Sequence, residues 1–128
     1  MPHSWFHENK IIANSMALTP QLFYIYKVSL STGHFYIGQT GDLSTRLAQH
    51  ISSIYDEHYE STGKRLEFHR KGAEIMQELF ENEITTIKDI KKFMTVHIIG
   101  MTDSRKYALS LESMAIQDNL SNELCLNR

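Results

Sequence analysis

The stretch LFYIYKVSL-STG-HFYIG, from Leu22 to Gly38, constrains this chain more than any other. Its first nine residues are rich in aromatic and β-branched types, which favour a strand. Ser31-Thr32-Gly33 suits a three-residue hairpin loop, with Gly33 free to take the positive φ that such a loop needs. His34 to Gly38 is then the return strand. A loop of this length sets Val28 opposite Tyr36 and Tyr26 opposite Gly38. The two-residue period of a strand places Tyr24, Tyr26 and Tyr36 on one face of the hairpin.

The chain beyond the hairpin alternates between helical and extended patterns. Gly38-Gln39-Thr40-Gly41 is a turn, and Asp42 is placed to cap a helix running to about Ile54. Leu43, Leu47, Ile51 and Ile54 form its apolar stripe, with Arg46 and His50 one turn apart on a neighbouring face. Residues 55–72 are polar and uneven, broken at Gly63 and Gly72. Ala73, Ile75, Met76, Leu79 and Phe80 predict a short amphipathic helix, and Ile84, Ile87 and Ile90 a second. Lys92 to Met101 predicts a third strand. Asp103 or Ser104 then caps a last helix to about Asn119. The expected class is α+β: a small three-stranded antiparallel sheet flanked by helices, with a helical insertion before the third strand. Residues 1–21 form an N-terminal arm and residues 22–128 a single domain.

Composition narrows the function. With 128 residues the chain is long enough for one domain with its own core. A net charge of −2 argues against a protein that coats nucleic acid unspecifically, which needs excess Lys and Arg, though a local basic groove is compatible with it. Cys125 is the single cysteine, so no internal disulfide can form and no Cys-Cys zinc site exists; His3, His7, His34, His58 and His97 lack zinc-finger spacing. No run is long and apolar enough to span a bilayer, and the polar start MPHSWFHENK lacks the apolar stretch of a signal peptide. A cytoplasmic protein is the expectation. Glycine-rich phosphate loops, Gly-x-Ser-x-Gly elbows and dinucleotide fingerprints are absent.

Tyr24-Ile25-Tyr26, nine residues, Tyr36-Ile37-Gly38, then Arg46, His50, a late helical Glu112 and Asn127 form an ordered set that resembles the GIY-YIG nuclease superfamily. The resemblance covers about residues 22 to 127. Tyr24 stands where the family name has glycine, the spacer is slightly short, and Gln39 stands where some members have lysine. The resemblance implies a phosphodiester hydrolase that cuts DNA with one divalent ion, Mg²⁺ or Mn²⁺. It implies that Tyr26 activates the attacking water and that Tyr36 positions the water or the phosphate. Arg46 would hold the scissile phosphate, and His50 would contact phosphate or assist proton transfer. Glu112 would bind the metal, and Asn127 would hydrogen-bond within the site.

Each residue also has an ordinary alternative. Glu112 lies among Ala108, Leu111, Ala115 and Ile116 at helical spacing, and a carboxylate on an apolar face needs a metal or an ion pair, for which Arg46 is the candidate. Tyr26 and Tyr36 could be half-buried sheet aromatics, Arg46 and His50 exposed helix residues, and Asn127 a frayed end. Lys64, Arg65, His69, Arg70 and Lys71 form the one basic cluster, either the wall of a DNA groove or a charged loop. One catalytic centre cuts one strand at a time, so a double-strand cut would take a homodimer, a recognition partner or two visits. Sequence selectivity would then come from residues 1–20, residues 55–92 or a partner. The rival function is a non-catalytic binding module of the same fold. A small-molecule enzyme, the third reading, calls for a closed apolar pocket, whereas a nuclease calls for a shallow positive groove.

Overall fold

The computed structural model describes residues 21–55, 66–79 and 90–127. Strand β1 (Phe23–Leu30) and strand β2 (Phe35–Thr40) form the hairpin in the expected register, Val28 opposite Tyr36 and Tyr26 opposite Gly38. The loop closes through the Leu30 N–H, which donates to the His34 carbonyl at 2.7 Å, and Gly33 takes φ of 91°. Strand β3 (Met94–Thr102) pairs antiparallel with β1 on its other side, so the sheet order is β2-β1-β3. A bulge shifts the β1–β3 register between Ile25 and Tyr26: their partners are Gly100 and Ile98, which leaves Ile99 without a partner in the register.

Among the described residues, three helices complete this α+β fold. Helix α1 (Leu43–Tyr55) starts at Asp42, whose carboxylate accepts the Thr45 N–H at 3.1 Å and the Thr45 hydroxyl at 2.8 Å. Helix α2 (Glu67–Leu79) follows, and helix α3 (Arg105–Asn119) is capped by Ser104, whose Oγ accepts the Tyr107 N–H at 3.1 Å. The alternation of β1 divides the core between the two faces of the sheet. Tyr26, Val28 and Leu30 pack with Ile51 and Ile54 of α1 and with Phe68 and Ile75 of α2. Ile25, Phe35 and Ile37 pack on the other face with Ala108 of α3, flanked by Leu111, Ala115 and Ile116. Each Ile, Leu, Val or Phe side chain among these stabilises the fold by about 1.5–3 kcal/mol when fully buried.

Helix α2 begins at Glu67 rather than at Ala73, and Gly72 lies inside it. The glycine does not break the helix. A Cβ there would sit 2.8 Å from both Cδ1 and Cγ1 of Ile54, so its absence lets α2 close on α1. The third strand begins at Met94 because Lys91–Phe93 forms a 3₁₀ turn. The helix expected around Ile84, Ile87 and Ile90 falls outside the described residues except for Ile90, which is buried. The N-terminal arm lies outside them except for Gln21. Among the described residues no helix is long and apolar enough to cross a membrane.

Candidate active site

Strand β2 is an edge strand, and side chains and tail backbone from the end of the chain occupy its outer rungs. The Phe35 N–H donates to the Leu124 carbonyl at 2.9 Å, and the Leu126 N–H donates to the Phe35 carbonyl at 2.8 Å. Asn127 takes the next rung, accepting the Ile37 N–H at 2.8 Å and donating to the Ile37 carbonyl at 2.6 Å. Next along the edge, the Gln39 N–H faces the Glu112 carboxylate and draws its pKa down. Glu112 therefore stands at the sheet edge beside the residues that follow Tyr36, although α3 packs on the opposite face from the phenols.

On the phenol face, Tyr26 and Tyr36 lie with ring centroids 6.4 Å apart. Tyr36 stacks on Phe68 at 5.5 Å and meets the edge of His50 at 5.3 Å. Tyr26 lies across Gly38: a Cβ at that position would fall on its hydroxyl and 2.5 Å from its Cζ. The glycine of Tyr36-Ile37-Gly38 is thus needed to make room for the cross-strand ring. The Tyr26 hydroxyl and His50 Nε2 share a hydrogen bond of 2.7 Å, and His50 Nδ1 shares another of 2.8 Å with His69 Nε2.

The electrostatics tie these groups together. Burial raises the pKa of Tyr26; Tyr36 and Glu112 act in the same sense and Arg46 against it. Burial also raises Tyr36, again with Glu112 reinforcing and Arg46 opposing. Glu112 is raised by burial, while the Arg46 guanidinium and the Gln39 N–H draw it down. His50 is held down to about 3 by burial first, and then by the neighbouring His69 imidazole, whose protonation would compete with its own, and by the Arg46 guanidinium, so it is neutral near pH 7. Tyr26, Tyr36, Arg46 and Glu112 thus share one electrostatic neighbourhood.

Beside it opens a shallow polar cleft of about 530 Å³, lined among others by Gln21, Gln39, Asp42, Arg46 and Arg105. Asp42 is committed to capping α1, and neither guanidinium is held in an ion pair among the described residues. A second, more apolar cavity of about 350 Å³ lies between α1 and β3, lined by Leu47, Ile51, Met94 and Val96 among others, and includes none of the four site residues.

The expected residues fall into three groups. Tyr26, Tyr36, Arg46 and Glu112 come together as above. His50 is 2% exposed and faces Tyr26, which leaves it no direct reach to a phosphate in the cleft. Asn127 bonds to the strand backbone rather than to a tyrosine or an open phosphate site. Within the basic cluster, Lys64 and Arg65 lie outside the described residues. Arg70 and Lys71 are on the surface, within 3.6 Å of Glu67 and 3.4 Å of Glu74 respectively. His69 is 6% exposed and turned inward to His50, so a contact on an open groove is not available to it. Two participants escaped the sequence reading. Arg105 enters the cleft from the first turn of α3, and no spacing ties it to the hairpin. Phe68 could have been found by recognising that α2 starts before Gly72.

A family model described as the GIY-YIG catalytic domain matches residues 22–124. No curated protein and no solved structure matches the chain.

Proposed function

The chain belongs to the GIY-YIG catalytic domain family, whose fold is of the nuclease type, and from that premise we propose that it is a divalent-metal-dependent DNA endonuclease. The observation that carries the reading is the convergence of two phenols, a guanidinium and a half-buried carboxylate beside an open cleft with two arginines. Each suits a need of phosphodiester hydrolysis: an activated water, stabilised charge on the phosphoryl oxygens, and a route for protons.

Arg46 holds the scissile phosphate through its fork of donors. Arg105 binds the backbone farther along the cleft. Tyr26, as the phenolate left when its own proton has passed to solvent, takes the proton of the attacking water, and Tyr36 orients that water or the phosphate through its hydroxyl. Burial keeps the Tyr26 phenol protonated at rest, so its activation depends on positive charge nearby, which Arg46 already provides. Asn127 holds the strand that carries Tyr36.

The donor set suits a divalent cation. Burial raises the Glu112 carboxyl against the pull of Arg46 and the Gln39 N–H, and its oxygens keep lone pairs for a further partner. A single carboxylate fits Mg²⁺ or Mn²⁺, ions that keep several waters. Glu112 would hold the ion, which when bound supplies Lewis-acid stabilisation of the phosphoryl charge and favours the phenolate. One such centre cuts one strand, so a double-strand cut needs a homodimer, a partner or a second visit.

Supercoiled plasmid tests this reading. Wild-type protein should convert it to nicked circle in Mg²⁺ and not in EDTA, and Glu112→Ala should lose the activity. Failure of the wild type to cut any DNA would favour a non-catalytic binding module. Cutting that survives Glu112→Ala would overturn the site.

A further inference from the structure

Buried histidine pairs need a reason, and this one extends from the start of a helix to the Tyr26 oxygen. His69 is the third residue of α2, and its backbone N–H donates to the Leu66 carbonyl at 3.0 Å. The Leu66 N–H in turn donates to His69 Nδ1 at 3.3 Å. This is one half of a capping box, the N-cap N–H bonded to the side chain three residues on, with imidazole in the place usually taken by Glu or Gln.

A backbone N–H can only donate, so His69 Nδ1 is an acceptor and the proton of the neutral ring sits on Nε2. That proton points at His50 Nδ1, 2.8 Å away, which must then accept. The remaining proton of His50 is therefore on Nε2, facing the Tyr26 oxygen at 2.7 Å. Reversing the chain would aim a His69 Nδ1–H at the Leu66 N–H.

We infer that His69 is a positioning residue for the nuclease reaction: fixed by the start of α2, it sets the His50 tautomer so that Nε2–H donates to the Tyr26 oxygen. The inference rests on the nuclease reading above for its consequence, not for its geometry. Tyr26 then accepts from His50 and does not spend its own hydrogen on that bond. When Tyr26 gives up that proton to solvent, the His50 N–H is already aimed at the phenolate oxygen, so no ring has to flip or change tautomer. The held-down pKa of His50 agrees, since a neutral ring has one N–H to direct.

Long-range ¹H–¹⁵N correlation spectra of the imidazoles in the full chain read the tautomers without any need for activity. His50 and His69 should both be Nε2–H tautomers, and an Nδ1–H on either would overturn the inference. His69→Gln keeps an amide donor for His50, whereas His69→Leu removes it. His69→Leu should lose the single His50 tautomer and about 10–100-fold in kcat, less than the range of a proton-transfer group because His69 acts through His50, with KM for DNA unchanged. His69→Gln should stay within about threefold of wild type. An unchanged His50 spectrum in His69→Leu would contradict the inference, and should that variant fail to fold, the wild-type spectrum decides. Expected tautomers in a protein that cuts no DNA would overturn the nuclease reading alone, and cutting with the opposite tautomers would overturn the relay alone.

Discussion

Asn127 binds both backbone groups of Ile37, accepting its N–H at 2.8 Å and donating to its carbonyl at 2.6 Å, so a residue at the far end of the chain sits on the strand between Tyr36 and Gly38. Asn127→Ala removes both bonds and should cost about 1–3 kcal/mol. Urea unfolding would read the loss, and cleavage should fall with it because Tyr36 is no longer pinned. Asn127→Asp keeps the acceptor but sets an oxygen against the Ile37 carbonyl, and should recover little.

Gly38→Ala places a methyl where the Tyr26 ring lies. Overpacking of this kind costs about 1–3 kcal/mol, and the ring can relieve it only by leaving His50. Thermal melting should show the destabilisation. Cleavage should drop further than the lost stability alone would cause.

His50 makes stability depend on pH in a defined direction. Its folded pKa, about 3, lies below the ordinary 6.5, so between these values the unfolded chain binds the proton and the folded protein does not. The burial of neutral His50 carries no protonation penalty above pH about 6.5, and stability falls as the pH drops below that, by up to about 1.4 kcal/mol per unit from this group. Denaturant midpoints measured from pH 7 to pH 4.5 should decline, and His50→Gln should flatten the decline.

Arg105 and Arg46 should separate in a salt titration and in kinetics. Arg105→Ala should weaken DNA binding about evenly across sequences and lower the salt slope by about 1, with kcat nearly unchanged. Arg46→Ala should lose both binding and kcat, because its guanidinium acts on the phenols and on Glu112 as well as lining the cleft.

Local rules carried much of this structure. The Tyr26–Gly38 and Val28–Tyr36 pairs follow from loop length and strand period, and Asp42 and Ser104 cap their helices as their side chains suggest. What sequence could not supply was contact between segments. Gly72 looks like a breaker until Ile54 is seen against it, because a glycine that ends a helix and one that admits a neighbour are the same letter. His69 stands in a run of basic residues, and only the turn that starts α2 at Glu67 rotates it inward to His50 while Arg70 stays on the surface. Glu112 was visible as a carboxylate among apolar neighbours, but its reach to the Gln39 N–H depends on how α3 lies along the sheet edge.

The most direct test is the single-turnover rate of DNA cleavage by Tyr26→Phe at saturating protein. The substitution removes one oxygen and keeps the ring against Gly38 and Tyr36. The proposed mechanism predicts a fall of about 10²–10⁴-fold with DNA affinity retained. Cleavage at the wild-type rate would show that the water is activated elsewhere.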